Sequence, residues 1–294
     1  MKPLALLFIC GVKNDFLKKR KIDLAVISDV HLGTYGCHAD ELLSYLNSID
    51  PKKIILNGDI IDIWQFRKRY FPKSHLKVIK KLIDFSTKGV EVIYITGNHD
   101  ESLRRFSETT LGNFSLVDKL VLELNGKKAW FFHGDVFDAS IQNAKWIAKL
   151  GSWGYDMLIR LNRCINWFLL KIGREKYSLS KRIKNSVKKA VKYINDFEKV
   201  AADLAIDNGY EYVVCGHIHQ PQMEKKTNRK GSCVYLNSGD WVENLTALEY
   251  HRNRWKLYRH SEDRLTAFYA DEELKSMDYK DLLAAITIIE SPKK

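Results

Sequence analysis

Short apolar runs recur along the first half of the chain, each bounded by charge or glycine. Residues 22–28, 53–57 and 90–96 read as buried strands, because continuous apolar runs this short suit strands covered on both faces. Between them, residues 40–48 and 74–88 carry helical spacing, and Gly89 is a C-terminal stop for the second. Strands alternating with helices predict an α/β layered fold. Residues 117–124 and 127–133 flank Asn125-Gly126, a pair suited to the type I′ turn of a β-hairpin. A further short strand is expected at 210–215. Hairpin-like strands follow from Met223 onward, including 232–236 and 245–250, and an amphipathic helix at 271–290.

A long helical insert is expected at about 139–208. Its stretch 157–170 is apolar on most faces, whereas 180–207 is amphipathic with a basic stripe through Lys181, Lys184, Lys188 and Lys192. The pattern divides the chain into a tail (1–21), a main domain (22–260) with this insert as a helical cap, and a C-terminal segment (261–294).

Composition adds three points. Of the net charge of +12, the segment 141–200 holds most, with 14 Lys or Arg against 4 Asp or Glu. A basic block of this kind draws an anionic partner: nucleic acid, a phosphorylated substrate or an anionic membrane surface. The five cysteines form no CxxC pair and are odd in number, which fits a reducing compartment. At the N-terminus the basic residues follow the apolar stretch 4–12 and no A-x-A-like site appears, so a frayed or interfacial tail is expected rather than a cleaved signal. No run approaches the length of a membrane span.

The chemistry lies in five motifs, each just after an expected strand. They are Asp29-Val30-His31, Gly58-Asp59-Ile60-Ile61-Asp62, Gly97-Asn98-His99-Asp100, His133-Gly134-Asp135 and Gly216-His217-Ile218-His219. Five of the 9 histidines sit in them. In open α/β sheets ligands bind at the carboxyl ends of the strands. Asp29 and His31, two apart, are expected to point to one side in extended backbone, as are His217 and His219. Asp59 can bridge two cations, Asn98 supplies a neutral oxygen, and Asp62 can hold a ligating histidine from behind. A mixed N/O set suits Mn²⁺, Fe or Zn²⁺ better than Mg²⁺ or Ca²⁺. Any one motif recurs by chance; all five in one order at strand ends point to metal-assisted phosphoester hydrolysis by two divalent cations. The loop Asn237-Ser238-Gly239-Asp240 either shapes the site or is a plain tight turn. His38, His75, His251 and His260 are expected at the surface.

That motif order resembles the calcineurin-like metallophosphoesterase superfamily, over about residues 22–250. The resemblance implies a four-layer α/β/β/α sandwich with a dinuclear site at one end. It implies that Asp29, His31, Asp59 and His219 hold one metal and Asp59, Asn98, His133 and His217 the other. His99 would contact the phosphoryl group and Asp100 would orient His99. Within the superfamily the chain looks most like the UDP-2,3-diacylglucosamine diphosphatases of lipid A synthesis. The basic cap and the His-Gln-Pro ending of residues 216–221 carry that likeness. It implies cleavage of a pyrophosphate to UMP and an acylated sugar phosphate, by a cytoplasmic enzyme on the anionic inner-membrane surface. Trp167 and Phe168 would then line the acyl groove, with Lys181, Lys184 and Lys188 on phosphates; core packing and a solvated face are the plain alternatives. One letter departs: that family reads GNRD where this chain has His99. Arg offers a permanent charge and a fixed donor fork, whereas His titrates and can protonate a poorer leaving group. Another phospholipid, phosphomonoester or nucleotide is therefore an alternative substrate. Nucleic acid is disfavoured by the apolar run in the cap, since a backbone groove needs basic residues with stacking aromatics. A non-enzymatic scaffold predicts missing ligands, and none is missing.

Overall fold

A computed structural model describes residues 19–64, 70–140 and 179–263. Twelve strands form two sheets among these residues. The first sheet holds β1 (Arg20–Ile27), β2 (Ile49–Asn57), β3 (Glu91–Ile95), β4 (Thr109–Leu111), β5 (Phe114–Val117), β11 (Thr246–His251) and β12 (Arg254–Arg259), in the order β12-β11-β1-β2-β3-β5-β4. The second holds β6 (Leu120–Leu124), β7 (Lys127–Phe131), β8 (Tyr212–Cys215), β9 (Gln222–Thr227) and β10 (Ser232–Asn237), in the order β6-β7-β8-β10-β9. Three helices accompany them: α1 (Ala39–Ser48), α2 (Lys73–Thr87) and α3 (Leu179–Asp207). The expected mixed α/β class is observed.

Strand alternation divides the core. Val26, Ile55 and Ile93 stand in register on β1, β2 and β3 and pack with Phe131, Val214 and Leu236 of the second sheet. Their neighbours Ala25, Ile54 and Val92 point the other way, onto Leu42, Tyr45 and Leu46 of α1 and Val78 and Phe85 of α2. On the far face of the second sheet, Val213 and Tyr235 meet Phe197, Ala201, Ala202 and Ala205, the i, i+4, i+5, i+8 stripe of α3. The fully buried Phe197 contributes about 1.5–3 kcal/mol by burial.

The strands β1, β2, β3 and β5 run parallel, as do β7, β8 and β10. Parallel strands bring their carboxyl ends to one side of each sheet, and there the five motifs emerge. The hairpin turns as expected, with Asn125 at φ 51° and Gly126 at φ 76°. Its first strand starts later than expected, because residues up to Val117 form β5 and pair with β3 in the other sheet. Helix α3 matches the amphipathic part of the expected insert. Residues 141–178, with the apolar run, Trp167 and Phe168, lie outside the described residues, as do residues 1–18 of the tail and the 271–290 helix; the strand β1 already begins at Arg20. Lys181, Lys184 and Lys188 fall on the α3 backbone, and their side chains lie outside the description. No described helix is long and apolar enough to cross a membrane.

Candidate metal centre

Two clusters in the site draw on both sheets. Asp29 and His31 follow β1 and meet His219, which follows β8; Asp59 follows β2 and meets His133 and His217, which follow β7 and β8. Within each trio the ligand atoms lie within 4.8 Å of one another. A third group, His31, Asp62 and His99, is as tight and shares His31.

The backbone bends sharply to achieve this. Asp29, His31, Asp59, His217 and His219 all have positive φ, between 51° and 68°. They are five of the ten non-glycine residues with that conformation among the described residues. Such positions cost on the order of 1–3 kcal/mol each and persist where the surroundings impose them. The expectation of extended backbone at Asp29–His31 and His217–His219 is therefore corrected: the chain has left the strand, and left-handed turns aim these side chains. Close approach explains the motif glycines. A Cβ on Gly216 would lie 2.6 Å from Asp29 Oδ2, and one on Gly58 or Gly97 would collide with His133 or Asp59.

Three of these histidines, His133, His31 and His219, have a partner behind the ring. His133 Nδ1 donates to the Asn57 carbonyl at 2.9 Å, so Nε2 faces Asp59 Oδ2 at 3.3 Å. His31 Nδ1 lies 3.2 Å from Asp62 Oδ2. His219 Nε2 lies 3.2 Å from Asp29 Oδ1, and its Nδ1 lies 3.8 Å from Asp240 Oδ2. Asp240 is buried and accepts from the backbone N–H groups of Val242, Glu243 and Asn244, so the 237–240 loop does shape the site. Electrostatics follow the pairing. Burial raises the Asp29 carboxyl, but His219 more than offsets it and takes it down to about 2. Burial lowers His219, and Asp29 lifts it to about 9. Asp59 is held low against its burial by His133, then by His31 and His99.

The residues suit divalent cations. Asp29 Oδ1, His31 Nε2, Asn98 Oδ1 and His133 Nε2 are buried and make no hydrogen bond. They are four of twelve such side-chain atoms among the described residues, and these four converge on the Asp/His clusters. Clustered lone-pair atoms on Asp29, His31, Asn98 and His133, without a hydrogen bond of their own, are what a cation would satisfy.

A model of the family Calcineurin-like phosphoesterase matches residues 22–221. The chain is a calcineurin-like phosphoesterase. Membership makes it a metal-dependent hydrolase. Curated relatives include the UDP-2,3-diacylglucosamine hydrolase of Blochmanniella pennsylvanica, 27% identical over 69% of this chain and 82% of that protein. The enzyme of that name from Aliivibrio fischeri is 25% identical over 79% of this chain and 96% of its own length. That of Porphyromonas gingivalis is 32% identical over 46% and 51% respectively. Among solved structures, a phosphoesterase from E. coli aligns with 81% of this chain and 93% of its own at 14% identity and TM-score 0.42.

Two expectations for this phosphoesterase change. Asp100 does not reach His99. Its carboxylate accepts from the N–H groups of Ile60 and Gly97 and from the Tyr94 hydroxyl, at 2.9, 2.6 and 2.5 Å, which fixes the loop. Asp62 takes the orienting place, with Oδ2 2.9 Å from His99 Nδ1. Burial lowers the His99 pKa, and Asp62 reverses this to a net rise. The His99 backbone N–H donates to Asp59 Oδ1 at 2.7 Å, and Trp64 packs its ring 5.1 Å from the imidazole. His75 is buried, not at the surface: its Nδ1 accepts from the Gly33 N–H at 3.0 Å, two residues past His31. Cys37, Cys215 and Cys233 are free thiols. Sequence reasoning missed Arg104, Asn57 and Tyr94, which support ligands through contacts that no spacing reveals.

Proposed function

We propose that this phosphoesterase cleaves the pyrophosphate of UDP-2,3-diacylglucosamine, giving UMP and 2,3-diacylglucosamine 1-phosphate. The observation that carries the chemistry is the pair of cross-sheet Asp/His clusters with bare ligand atoms. The substrate is supported by relatives of that name spanning most of this chain. Asp29, His31, Asp59 and His219 would hold one divalent cation, and Asp59, Asn98, His133 and His217 the other, with Mn²⁺ favoured by the mixed N/O donors. Bound there, the pair supplies Lewis acidity at the phosphoryl oxygens and lowers the pKa of a water.

The chain's own residues do the rest. His99, held by Asp62 and covered by Trp64, stands beside the Asp59 cluster and offers its other ring nitrogen to a phosphoryl or leaving-group oxygen. Buried Asp100 and Tyr94 keep that loop from shifting. The basic α3 would draw the anionic substrate and the anionic inner-membrane surface. The Asp62–His99 pair also supports a second reading. A placed proton donor suits a phosphoester with a poorer leaving group, on another phospholipid or nucleotide.

The test supplies purified protein and Mn²⁺ with UDP-2,3-diacylglucosamine and follows UMP. UMP release upholds the first reading. Hydrolysis of simple phosphomonoesters without UMP release replaces it with the second.

A further inference from the structure

The loop carrying His133 is held at three successive residues. His133 is bound through Nδ1 to the Asn57 carbonyl. Gly134, at φ 125°, lies so close to α3 that a Cβ there would be 2.6 Å from the Phe197 ring. Asp135 is gripped by Arg104, whose Nη2 donates to Oδ2 at 2.9 Å. Arg104 sits on the short 3₁₀ helix Glu101–Phe106, directly after Asn98 and His99. Its Nε also donates to Asp118 Oδ1 at 2.6 Å, and Asp118 accepts from Thr96 Oγ1 at 2.9 Å. One guanidinium thus ties the end of β3 and the Asn98 loop in the first sheet to the His133 loop in the second.

We infer that Arg104 is a positioning residue for the second cation, setting the distance between the loops that carry Asn98 and His133. An exposed ion pair would contribute little. Here the Asp135 side chain is only 11% exposed, and the planar fork serves two carboxylates at once. The hydrogen bonds of Arg104 go to Thr96, Asp118 and Asp135, and none goes to Asp29, His31 or His219, the residues proposed for the first cation alone. The inference rests on the proposed dinuclear reading.

Metal-free protein titrated with Mn²⁺ in a calorimeter, with the bound metal counted, tests it. Wild type should bind two ions; failure to do so would overturn the dinuclear reading itself. Arg104→Ala should keep one site at wild-type affinity and weaken the other about tenfold, the low end for outer partners of metal ligands. Added guanidinium should restore the weakened site, and an equal concentration of sodium chloride should not. Asp135→Asn should weaken the same site, and the double variant should lose no more than either single one. If Arg104→Ala melts too low to titrate, Asp135→Asn and Arg104→Lys carry the test. Two unchanged sites, or equal weakening of both, would overturn the role of Arg104.

Discussion

The first-sheet half of the metal centre is knitted by main chain, and the second-sheet half is pinned by side chains. Past the ends of β1 and β2 the parallel ladder continues into the loops. Asp29 N–H bonds Gly58 O at 3.1 Å, Val30 and His31 N–H bond Asp59 O at 3.0 and 2.9 Å, and Leu32 N–H bonds Ile60 O at 2.9 Å. Asp62 N–H returns to Leu32 O at 3.0 Å. Asp29, His31 and Asp59 thus sit on one continuous backbone fabric. On the other side, one main-chain bond, Gly216 N–H to His133 O at 3.0 Å, joins the two loops. Side-chain supports there include Arg104 on Asp135, His133 Nδ1 on Asn57 O at 2.9 Å, His217 N–H on Asp29 Oδ2 at 3.0 Å, Asn237 Nδ2 on Gly216 O at 2.8 Å, and Asn244 Nδ2 on His219 O at 2.9 Å. Backbone bonds survive most substitutions, and side-chain pins do not. The first half should therefore tolerate changes outside its ligands, and the second should not.

The largest effect should come from the residue that both proposed sets share. Asp59→Asn is expected to weaken both cations, each by about 3–5 kcal/mol as for a broken buried charge pair, or about two to nearly four powers of ten. Metal counts near zero with hydrolysis lost would be the signature. Retention of either ion at full affinity would show that the halves do not meet at Asp59.

His99→Gln comes next. It should lower the rate about 10²-fold, the scale of a lost general acid or base, while both ions remain bound. Loss of metal along with rate would instead make His99 a structural part of the first half. Cation binding itself should weld the two halves, because the Asp29/His31/His219 and Asp59/His133/His217 clusters each span both sheets. At a hundredfold excess over Kd, one site adds about 2.7 kcal/mol, or roughly 5–10 °C in Tm for a domain of this size. An unchanged melting curve on adding Mn²⁺ would break that link.

The strands and the five motifs were legible because both are local. An apolar run reports a covered strand, and a motif reports chemistry at its end. Asp62 was legible as a support for a histidine through the GDxxD spacing. Its service to His99 was not, since that depends on how the loops after β2 and β3 come together, and Asp100, adjacent in sequence, was the wrong choice. Asp100 is drawn off by Tyr94 and two backbone N–H groups. The left-handed turns at Asp29, His31, Asp59, His217 and His219 contradict local preference, so only the surrounding fold imposes them. Nothing in the sequence singles out Arg104; its role comes from Asp118 and Asp135, which converge on it from distant segments. His75 lies one turn before buried Val78, on the inward stripe of its helix, but a histidine's polarity argued for the surface.

The smallest expected effect tests the contrast between the halves most sharply. His75 is a side-chain support of the well-knitted half: its ring accepts the Gly33 N–H and packs against Phe71. His75→Leu leaves that N–H without its acceptor, at about 1–3 kcal/mol, and thermal melts should show the loss. His75→Asn, which can place an amide oxygen near the former Nδ1, should recover part of it. Mn²⁺ affinity should stay within about twofold of wild type, because the ladder from Asp29 to Leu32 holds His31 without help from Gly33. Asn237→Ala, a comparable change in the other half, should cost metal affinity as well as stability. If His75→Leu weakens metal as much as Asn237→Ala does, the ladder is not what holds the first half, and the two sides of the site are supported alike.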